Sequence, residues 1–313
     1  MKILVYGAGV LGSFLAHVLH RGKNNVTLLA RGNRLSELQE KGLNIRHYLQ
    51  FQTTIDDLPV IEKLVVDDVY DLCFVVMQRQ QIDEVLPEIA SCTGSRDFVL
   101  VGTNLTAIET RAFIDQNSPV KKNLAFGFQT SGGRCEPGRV ISIHTGSGSM
   151  VLGSLSPDEA LYSRITKAFE NTRYRLIFME NMDAWLKCHA AFILPIAFAC
   201  YYADGDLRRV SRNSKMLNLM IDAIDDAYQI VKAAGYPIIP PGNDVLLRKN
   251  RPRYYWLLKI MAATPIGRLA ASDHAMSARA EMCRLYTDFC QLKTKADINT
   301  PAWDEMAKFM DKC

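Results

Sequence analysis

Three glycines near the start of the chain have the spacing of a phosphate-binding loop. The loop follows a short apolar run typical of a strand and opens a helical pattern. Its residues are Gly7, Ala8, Gly9, Val10, Leu11 and Gly12. The first glycine permits a tight turn, the second lets the backbone approach a pyrophosphate, and the third lets the helix pack against the strand. Because N–H groups at a helix start attract phosphate, the loop predicts a dinucleotide site.

The end of the next predicted strand carries a cation where NAD-binding chains carry an acid. An acidic residue there would accept a hydrogen bond from the ribose 2′-hydroxyl of NAD. This chain has Arg31 at that position, with Arg34 close behind. An arginine can pair with the 2′-phosphate of NADP through charge-assisted bonds, so NADPH is the predicted cofactor. The alternative is that Arg31 is a solvated loop residue without a ligand.

A single lysine stands at the start of the most apolar helical pattern in the chain. Lys187 lies in Asp183-Ala184-Trp185-Leu186-Lys187, just before the apolar stretch 190–203. A lysine in such a place usually extends its ammonium to solvent. In a cleft it could instead donate a proton as a general acid. The residues alone leave both interpretations open.

Histidines offer weaker signals. His17 and His20 are three residues apart on the first predicted helix, which is a candidate metal pair, and His144 lies in a glycine-rich segment. No carboxylate partner is evident, so packing or surface positions are favoured and no metal site is predicted.

The elements that must position these residues change in kind near residue 180. Before it, short β-type runs at 2–6, 26–29, 71–77 and 98–101 alternate with helical stretches, which predicts a mostly parallel sheet with helices on both faces. Two more strands, predicted to be antiparallel, cover 140–144 and 150–152. After residue 180, helical patterns cover 184–202, 214–234, 244–261 and 272–294. The predicted fold is α/β, with a Rossmann-type dinucleotide-binding domain at 1–180 and an all-helical domain for substrate binding or dimerisation at 181–313.

Composition sets limits on the partners. The chain has 313 residues, of which 48% are hydrophobic and 22% charged, as in ordinary globular proteins. A net charge of +4 is too small to predict nucleic acid or an acidic membrane as a partner. The eight cysteines form no Cys-x-x-Cys pair, so thiols in a reducing cytoplasm are expected. The apolar stretch 190–203 is shorter than the ~20 residues of a membrane span and indicates a buried helix.

Four motifs resemble the ketopantoate reductase (2-dehydropantoate 2-reductase) family over nearly the whole chain. They are KILVYGAGVLGSFLAHVL with VTLLARG, GFQTSGGRCEPGRVISIHTGSG, WLKCHAAFILPIAFA and SDHAMSARAEM. The last two are the more specific, because many dehydrogenases share a start like the first. The resemblance implies reduction of a 2-keto acid by NADPH in a cleft between two domains, a role in pantothenate biosynthesis and a cytoplasmic location.

The resemblance also implies roles for individual residues. The catalytic lysine of the family falls on Lys187, and its substrate-binding glutamate falls on Glu281, with the preceding substrate-binding aspartate at Asp273. Glu281 could orient the lysine or accept a hydrogen bond from a substrate hydroxyl. Asn104 is expected near both the nicotinamide and the substrate. Gln78 stands where the family has a lysine beside the cofactor.

At three positions, this chain has an apolar residue where the family has a polar one. Ala191 and Pro195 replace two asparagines that face the substrate, and Leu269 replaces a serine. Positions four and eight residues after Lys187 share its helix face, so the expected substrate surface is apolar. A site that bonds a substrate hydroxyl can reject an analogue without it by ~10⁴-fold, and this chain lacks several of those groups. A bulkier or more apolar keto acid than ketopantoate is therefore expected.

The resulting hypothesis is an NADP-dependent oxidoreductase that acts on a CH–OH group, with a small keto acid as substrate and a second copy of the chain as a candidate partner. Two alternatives remain open. One is a non-catalytic NADP(H)-binding sensor or scaffold, in which a Lys187–Glu281 ion pair would only join two helices. The other is a hydroxyacid or opine-type dehydrogenase of the same architecture.

Overall fold

A computed structural model describes residues 1–310, apart from the side chains of Ile266, Leu269 and Ala270. The chain forms two compact units. The first comprises Met1–Gly102 and Thr106–Met182, and the second comprises Thr103–Leu105 and the chain from Asp183 onward. The predicted fold class, a Rossmann-type α/β region followed by a helical region, is confirmed. The functions assigned to residues 1–180 and 181–313 stay predictions.

The strands of the first unit form two sheets. They are β1 (Lys2–Tyr6), β2 (Asn25–Leu29), β3 (Leu43–His47), β4 (Gln52–Asp56), β5 (Val60–Ile61), β6 (Leu72–Val76), β7 (Asp97–Val101), β8 (Asn123–Gln129), β9 (Ser131–Glu136), β10 (Arg139–His144), β11 (Ser149–Gly153) and β12 (Arg175–Phe178). The larger sheet has the order β12-β11-β8-β7-β6-β1-β2-β5, and the smaller has the order β4-β3-β10-β9. Neighbours in the larger sheet pair in parallel, except β8 with β11.

Helices connect the parallel strands. They are α1 (Val10–Arg21), α2 (Gly32–Lys41), α3 (Arg79–Ser91), α4 (Ala107–Asn117) and α5 (Glu159–Phe169). All five residues of β6 and of β7 are buried. This is why β6 and residues 98–101 of β7 read as unbroken apolar runs in the sequence, since a parallel strand covered on both faces has no polar side.

The two strands predicted in the glycine-rich segment exist, but they belong to different sheets. β10 pairs antiparallel with β9 and parallel with β3, whereas β11 pairs antiparallel with β8. The expectation of a single strand pair there is wrong. The strands that pair with β10 and β11 are β9 and β8, which come earlier in the chain. The alternation of apolar and polar residues around 140–152 does not indicate which strands these partners are.

The second unit is helical throughout its described residues. Its helices are α6 (Met182–Tyr202), α7 (Leu207–Ser211), α8 (Ser214–Ala233), α9 (Asn243–Lys249), α10 (Arg251–Ala263), α11 (Pro265–Gly267), a π-helix (Arg268–Ser272), α12 (Asp273–Ser277), α13 (Arg279–Ala296), α14 (Pro301–Ala307) and a 3-10 turn (Lys308–Met310). The single helix predicted over 244–261 is interrupted at Asn250, because Pro252 lacks a backbone N–H and its ring crowds the preceding turn. The pattern at 272–294 is interrupted at Ala278.

The helix α6 forms the centre of the second unit. It is the one described helix that is long and apolar enough to cross a membrane, but 72% of that window is buried inside the protein. Leu194, Phe198 and Cys200 have no exposed surface and belong to the hydrophobic core of this unit. These are the properties of a core helix, as the sequence predicts.

The cysteines match the expectation of thiols with one correction. Six described cysteines are free. Cys283, on α13, is disulfide-bonded, so the expectation is wrong at that position.

Candidate active site

The glycine loop has the geometry that its spacing predicts. Gly7 has a φ of +118°, and a Cβ atom there would collide with the carbonyl of Val76. A Cβ atom on Gly12 would collide with the carbonyl of Gly7. A Cβ atom on Gly9 would meet nothing within 4 Å, so the backbone at this point is open to an approaching group.

The start of α1 has free hydrogen-bonding capacity. Gly9 is the N-cap of this helix and provides no side-chain cap for the first N–H groups. Below the loop, the hydroxyl of Ser13 donates to the carbonyl of Ala8 at 3.1 Å. An uncapped helix start beside an open backbone segment is a suitable cradle for a pyrophosphate, so these residues fit a dinucleotide.

Arg31 is anchored at the carboxyl end of β2. Its Nη2 donates to Glu88 at 3.0 Å and to the hydroxyl of Tyr6, while about half of its side chain is exposed. Burial, with the adjacent carboxylate of Glu88, raises the pKa of Tyr6 well above its usual range, so Tyr6 stays neutral and donates to Glu88 at 3.0 Å. The Nε and Nη1 groups of Arg31 have no hydrogen-bond partner within the described chain. They can reach a phosphate without breaking the anchor.

Arg34, the second cation considered for the 2′-phosphate, is used differently. Its Nε donates to the carbonyl of Ala8 at 3.1 Å, and its Nη2 donates to the hydroxyl of Ser13 at 3.3 Å. Its Nη1 pairs with Glu37 at 2.6 Å. Arg34 therefore braces the glycine loop from outside, a role that the sequence analysis missed.

Gln78 is the N-cap of α3 and lies two residues after the end of β6, the strand whose carbonyl at Val76 faces Gly7. The backbone N–H of Gln78 donates to Oε1 of Gln81 at 3.2 Å, so the helix start is capped. The next residue, Arg79, is buried and binds Asp83 and, at 2.7 Å, the hydroxyl of Thr106. This buried guanidinium joins the starts of α3 and α4 and had no recognisable sequence signal.

Asn104 belongs to the same compact unit as Lys187 and Glu281. It lies in the segment Thr103–Leu105, which groups with the helical unit although it follows β7. Asn104 is buried, and the neighbouring Leu105 packs in the hydrophobic core of the second unit. Three of the residues predicted for the site are thus brought into one compact unit from three distant parts of the sequence.

Lys187 is buried, with 5% of its surface exposed, so the interpretation as a lysine that extends to solvent is wrong. Its Nζ forms an ion pair with the carboxylate of Asp183, one turn earlier on α6. The same Nζ lies 4.4 Å from the centroid of the Tyr236 ring. Both contacts are favourable electrostatic contacts of the ammonium group. Within the described chain its ion-pair partner is Asp183 and not Glu281.

The other predicted site residues of the second unit lie on α6, α12 and α13. Glu281 is buried in the first turn of α13, with its Oε2 3.4 Å from Nε2 of His274. Asp273 begins α12, 3.8 Å from Nε of Arg268. Burial lowers the pKa of His274, which favours its neutral form.

The apolar replacements are less accessible than a substrate surface would be. Ala191 has no exposed surface and is part of the core of the second unit, and Pro195 is also buried. The side chain of Leu269 lies outside the described residues. The contacts of Lys187 with Asp183 and Tyr236 were not predicted from the sequence. The four-residue spacing between Asp183 and Lys187 on one helix could have indicated the contact with Asp183.

Comparison with known proteins gives a consistent result. The model of the ketopantoate reductase PanE/ApbA family matches residues 3–157. A 2-dehydropantoate 2-reductase from Aquifex aeolicus (strain VF5) is 21% identical over 246 residues, which cover 76% of this chain and 74% of the relative.

Solved structures share the fold over the full length. A 2-dehydropantoate 2-reductase from Geobacter metallireducens GS-15 matches with a TM-score of 0.79 and 15% identity, covering 100% of this chain and 99% of the other. The ternary structure of D-mandelate dehydrogenase with NADH and anilino(oxo)acetate matches with a TM-score of 0.75 and 17% identity, covering 100% and 98%.

A glycine loop of this geometry on a parallel sheet, followed by a helical unit, defines a dehydrogenase that uses a nicotinamide dinucleotide. Within that class, the chain belongs to the ketopantoate reductase family. It is accordingly an NADP-dependent oxidoreductase acting on a CH–OH group, and a divergent member by its low identity.

Proposed function

We propose that the protein reduces a 2-keto acid to the 2-hydroxy acid with NADPH, with Lys187 as the general acid. The observation that carries this proposal is the buried Lys187 ammonium, paired with Asp183 and covered by Tyr236. A buried charge is costly unless it is paired, and an apolar core helix gains nothing from a lysine at this position. A catalytic role of the ammonium would explain why a lysine is buried here.

The cofactor residues, apart from Asn104 of the second unit, are proposed to lie in the first unit. The open backbone at Gly9 and the first N–H groups of α1 would hold the pyrophosphate. The unused donors of Arg31 would bind the 2′-phosphate, with Gln78 and Asn104 toward the nicotinamide. Bound NADPH supplies the hydride that the keto carbon accepts.

The proton-handling residues are proposed to lie in the second unit. As negative charge develops on the carbonyl oxygen, Nζ of Lys187 donates a proton to it. The carboxylate of Asp183 orients the ammonium. Glu281 would accept a hydrogen bond from the substrate, and Asp273 would contribute a second acceptor near it.

The substrate is proposed to be more apolar than ketopantoate. Ala191, Pro195 and Leu269 stand where the family has two asparagines and a serine, so fewer groups can bond a substrate hydroxyl. The fold match to D-mandelate dehydrogenase also supports a more apolar substrate, because mandelate is an aromatic 2-hydroxy acid. A hydroxyacid dehydrogenase of that kind is the second candidate function, and pantothenate biosynthesis would then not be the pathway.

The cellular setting is part of the proposal. Six free thiols support a reducing cytoplasm. A homodimer formed through the helical unit is proposed from the family resemblance, and size-exclusion chromatography with light scattering tests it.

The decisive experiment follows NADPH oxidation against a panel of 2-keto acids that includes ketopantoate, phenylglyoxylate and pyruvate. We expect the highest kcat/KM with an aromatic or branched keto acid. Preference for ketopantoate would overturn the substrate proposal and leave the reductase in place. Tight NADPH binding without turnover of any acid would overturn the enzymatic proposal and identify a sensor.

A further inference from the structure

The first unit has a cavity of about 400 Å³ away from the glycine loop. Its lining includes Phe14, His17, Arg21, His47, His144 and Arg173. His17 follows Gly9 by eight residues on α1, which is about 12 Å along the helix axis. No part of the proposed function uses this cavity, and its volume is within the usual range for small-molecule sites.

Two of its histidines form a directed hydrogen-bond chain. Nδ1 of His144 lies 3.0 Å from the carbonyl of Gly146, which can only accept, so this nitrogen donates. Nε2 of His144 then accepts from Nδ1 of His47 at 3.1 Å. Nε2 of His47 in turn accepts from the hydroxyl of Thr54 at 2.9 Å. Every bond is satisfied when both imidazoles are neutral.

The third histidine is part of an ion-pair group. Nδ1 of His17 lies 2.5 Å from Oδ2 of Asp56, and Arg21 binds Oδ1 of the same carboxylate at 2.7 Å. Asp56 is itself buried and does not line the cavity. Its single negative charge thus faces one guanidinium and one imidazole.

Arg173 supplies a cation that nothing in the described chain neutralises. It is exposed at the rim of the cavity, and the lining contains no acidic residue. The floor is aromatic, since the rings of Phe14 and His144 stack with their centroids 4.1 Å apart. The cavity therefore combines an unpaired cation with an apolar surface.

We propose that this cavity binds a small molecule with a carboxylate or phosphate group, held by the guanidinium of Arg173 next to the three histidines. Charge-assisted bonds from a guanidinium are a usual means of holding an oxyanion. The aromatic floor accommodates the apolar part of the ligand. The site is distinct from the dinucleotide loop, so both can be occupied together.

Binding is coupled to protonation. The groups that face His47 are His17 and Arg21 from α1, His144 from β10 and Asp56 from β4. Burial and the neighbouring positive groups lower the pKa of His47 to about 4, so it is neutral in the unliganded protein at pH 7. A bound oxyanion adds negative charge and raises that pKa. The ligand therefore binds with proton uptake, and more tightly as pH falls from 7 toward 5.

The test is isothermal titration of the NADPH-saturated full chain with inorganic phosphate and, separately, with benzoate. Saturation with NADPH keeps phosphate out of the glycine loop. We expect one site for at least one probe, with proton uptake measured as a dependence of the enthalpy on the buffer. Binding of phosphate alone identifies a phosphate ligand, and binding of benzoate identifies a carboxylate ligand.

Variants separate this site from others. Arg173→Ala, on the exposed rim, should weaken binding about tenfold, and His47→Gln should remove the proton uptake. The matched control is Arg175→Ala, an exposed arginine two residues away that does not line the cavity. Binding of neither probe, or binding that Arg173→Ala leaves unchanged, overturns the proposal without affecting the proposed reductase function.

Discussion

The two compact units present polar groups to their candidate ligands in different ways. In the first unit, the glycine loop offers backbone N–H groups within six consecutive residues. The backbone at Gly9 is open, because this residue has no side chain. In the second unit, the ammonium of Lys187 depends on Asp183 and on Tyr236, which lies 49 residues further along the chain. One site is local backbone geometry, and the other is an arrangement of distant side chains.

This difference has an energetic consequence. A backbone site costs little to maintain, because the turn is determined by Gly7 and Gly12, where a Cβ atom would collide with a backbone carbonyl. A buried ion pair costs desolvation energy and is stable only while both partners are present. A single side-chain deletion should therefore damage the second site more than the first.

The largest expected effect is that of Lys187→Ala. It should lower kcat by ~10²-fold or more, since it removes the general acid. The dissociation constant of NADPH, measured by fluorescence titration, should stay the same. The control is Lys295→Ala, because Nζ of Lys295 lies 5.3 Å from the same Tyr236 ring but is exposed. Equal losses in both variants, or none in Lys187→Ala, would contradict the assignment.

The glycine loop can be tested by two substitutions of the same size. Gly12→Ala should destabilise the fold by about 3 kcal/mol in urea unfolding, because its Cβ would collide with the carbonyl of Gly7. Gly9→Ala should leave the fold intact, since space is open there, and should weaken NADPH binding by roughly tenfold. If Gly9→Ala binds NADPH normally, the pyrophosphate does not contact this position.

The same contrast explains what the sequence could predict. The strand β1, the helix α1 and the loop between them follow from short-range patterns, because each depends on neighbouring residues. The smaller sheet does not: His47 and His144 are hydrogen-bonded although they lie 97 residues apart, in strands that pair in parallel. No local period indicates such a pairing.

The candidate site of the second unit was only partly predictable for the same reason. Lys187 stood out as the single lysine at the start of an apolar helical pattern, but its role as a general acid and the role of Glu281 came from the family motifs. Asp183 could have been read from its spacing to Lys187, whereas Tyr236 comes from the segment after α8. The burial of Ala191 likewise depends on packing across the unit.

Burial of the His47 imidazole in the first unit predicts that the free energy of unfolding depends on pH. His47 has a pKa of about 4 in the folded state, and an unfolded histidine has one near ~6.5. The unfolded chain therefore binds more protons between these values, so stability is complete above the upper value and declines as pH falls toward the lower one. We expect a loss of about 2 kcal/mol in the free energy of unfolding between pH 7 and pH 4.5 from this group.

Urea unfolding of the wild type and of His47→Gln at both pH values measures the effect. The variant should be less stable at pH 7, because it lacks the imidazole chain, but should lose less stability on acidification. The control is His20→Gln, a histidine that does not line the cavity. Parallel pH profiles for wild type and His47→Gln would show that the pKa of His47 is not lowered in the folded state.

The smallest expected effect concerns the choice of cofactor. Arg31→Ala should reduce the preference for NADPH over NADH by about tenfold in kcat/KM, the loss of one charge-assisted contact. Glu88→Gln should change it in the opposite direction, because it leaves Arg31 in place and removes the carboxylate that pairs with it. A backbone-built loop binds the pyrophosphate common to both cofactors, so neither change should alter NADH turnover by more than about twofold. If Arg31→Ala weakens both cofactors equally, Arg31 supports the loop and does not recognise the 2′-phosphate.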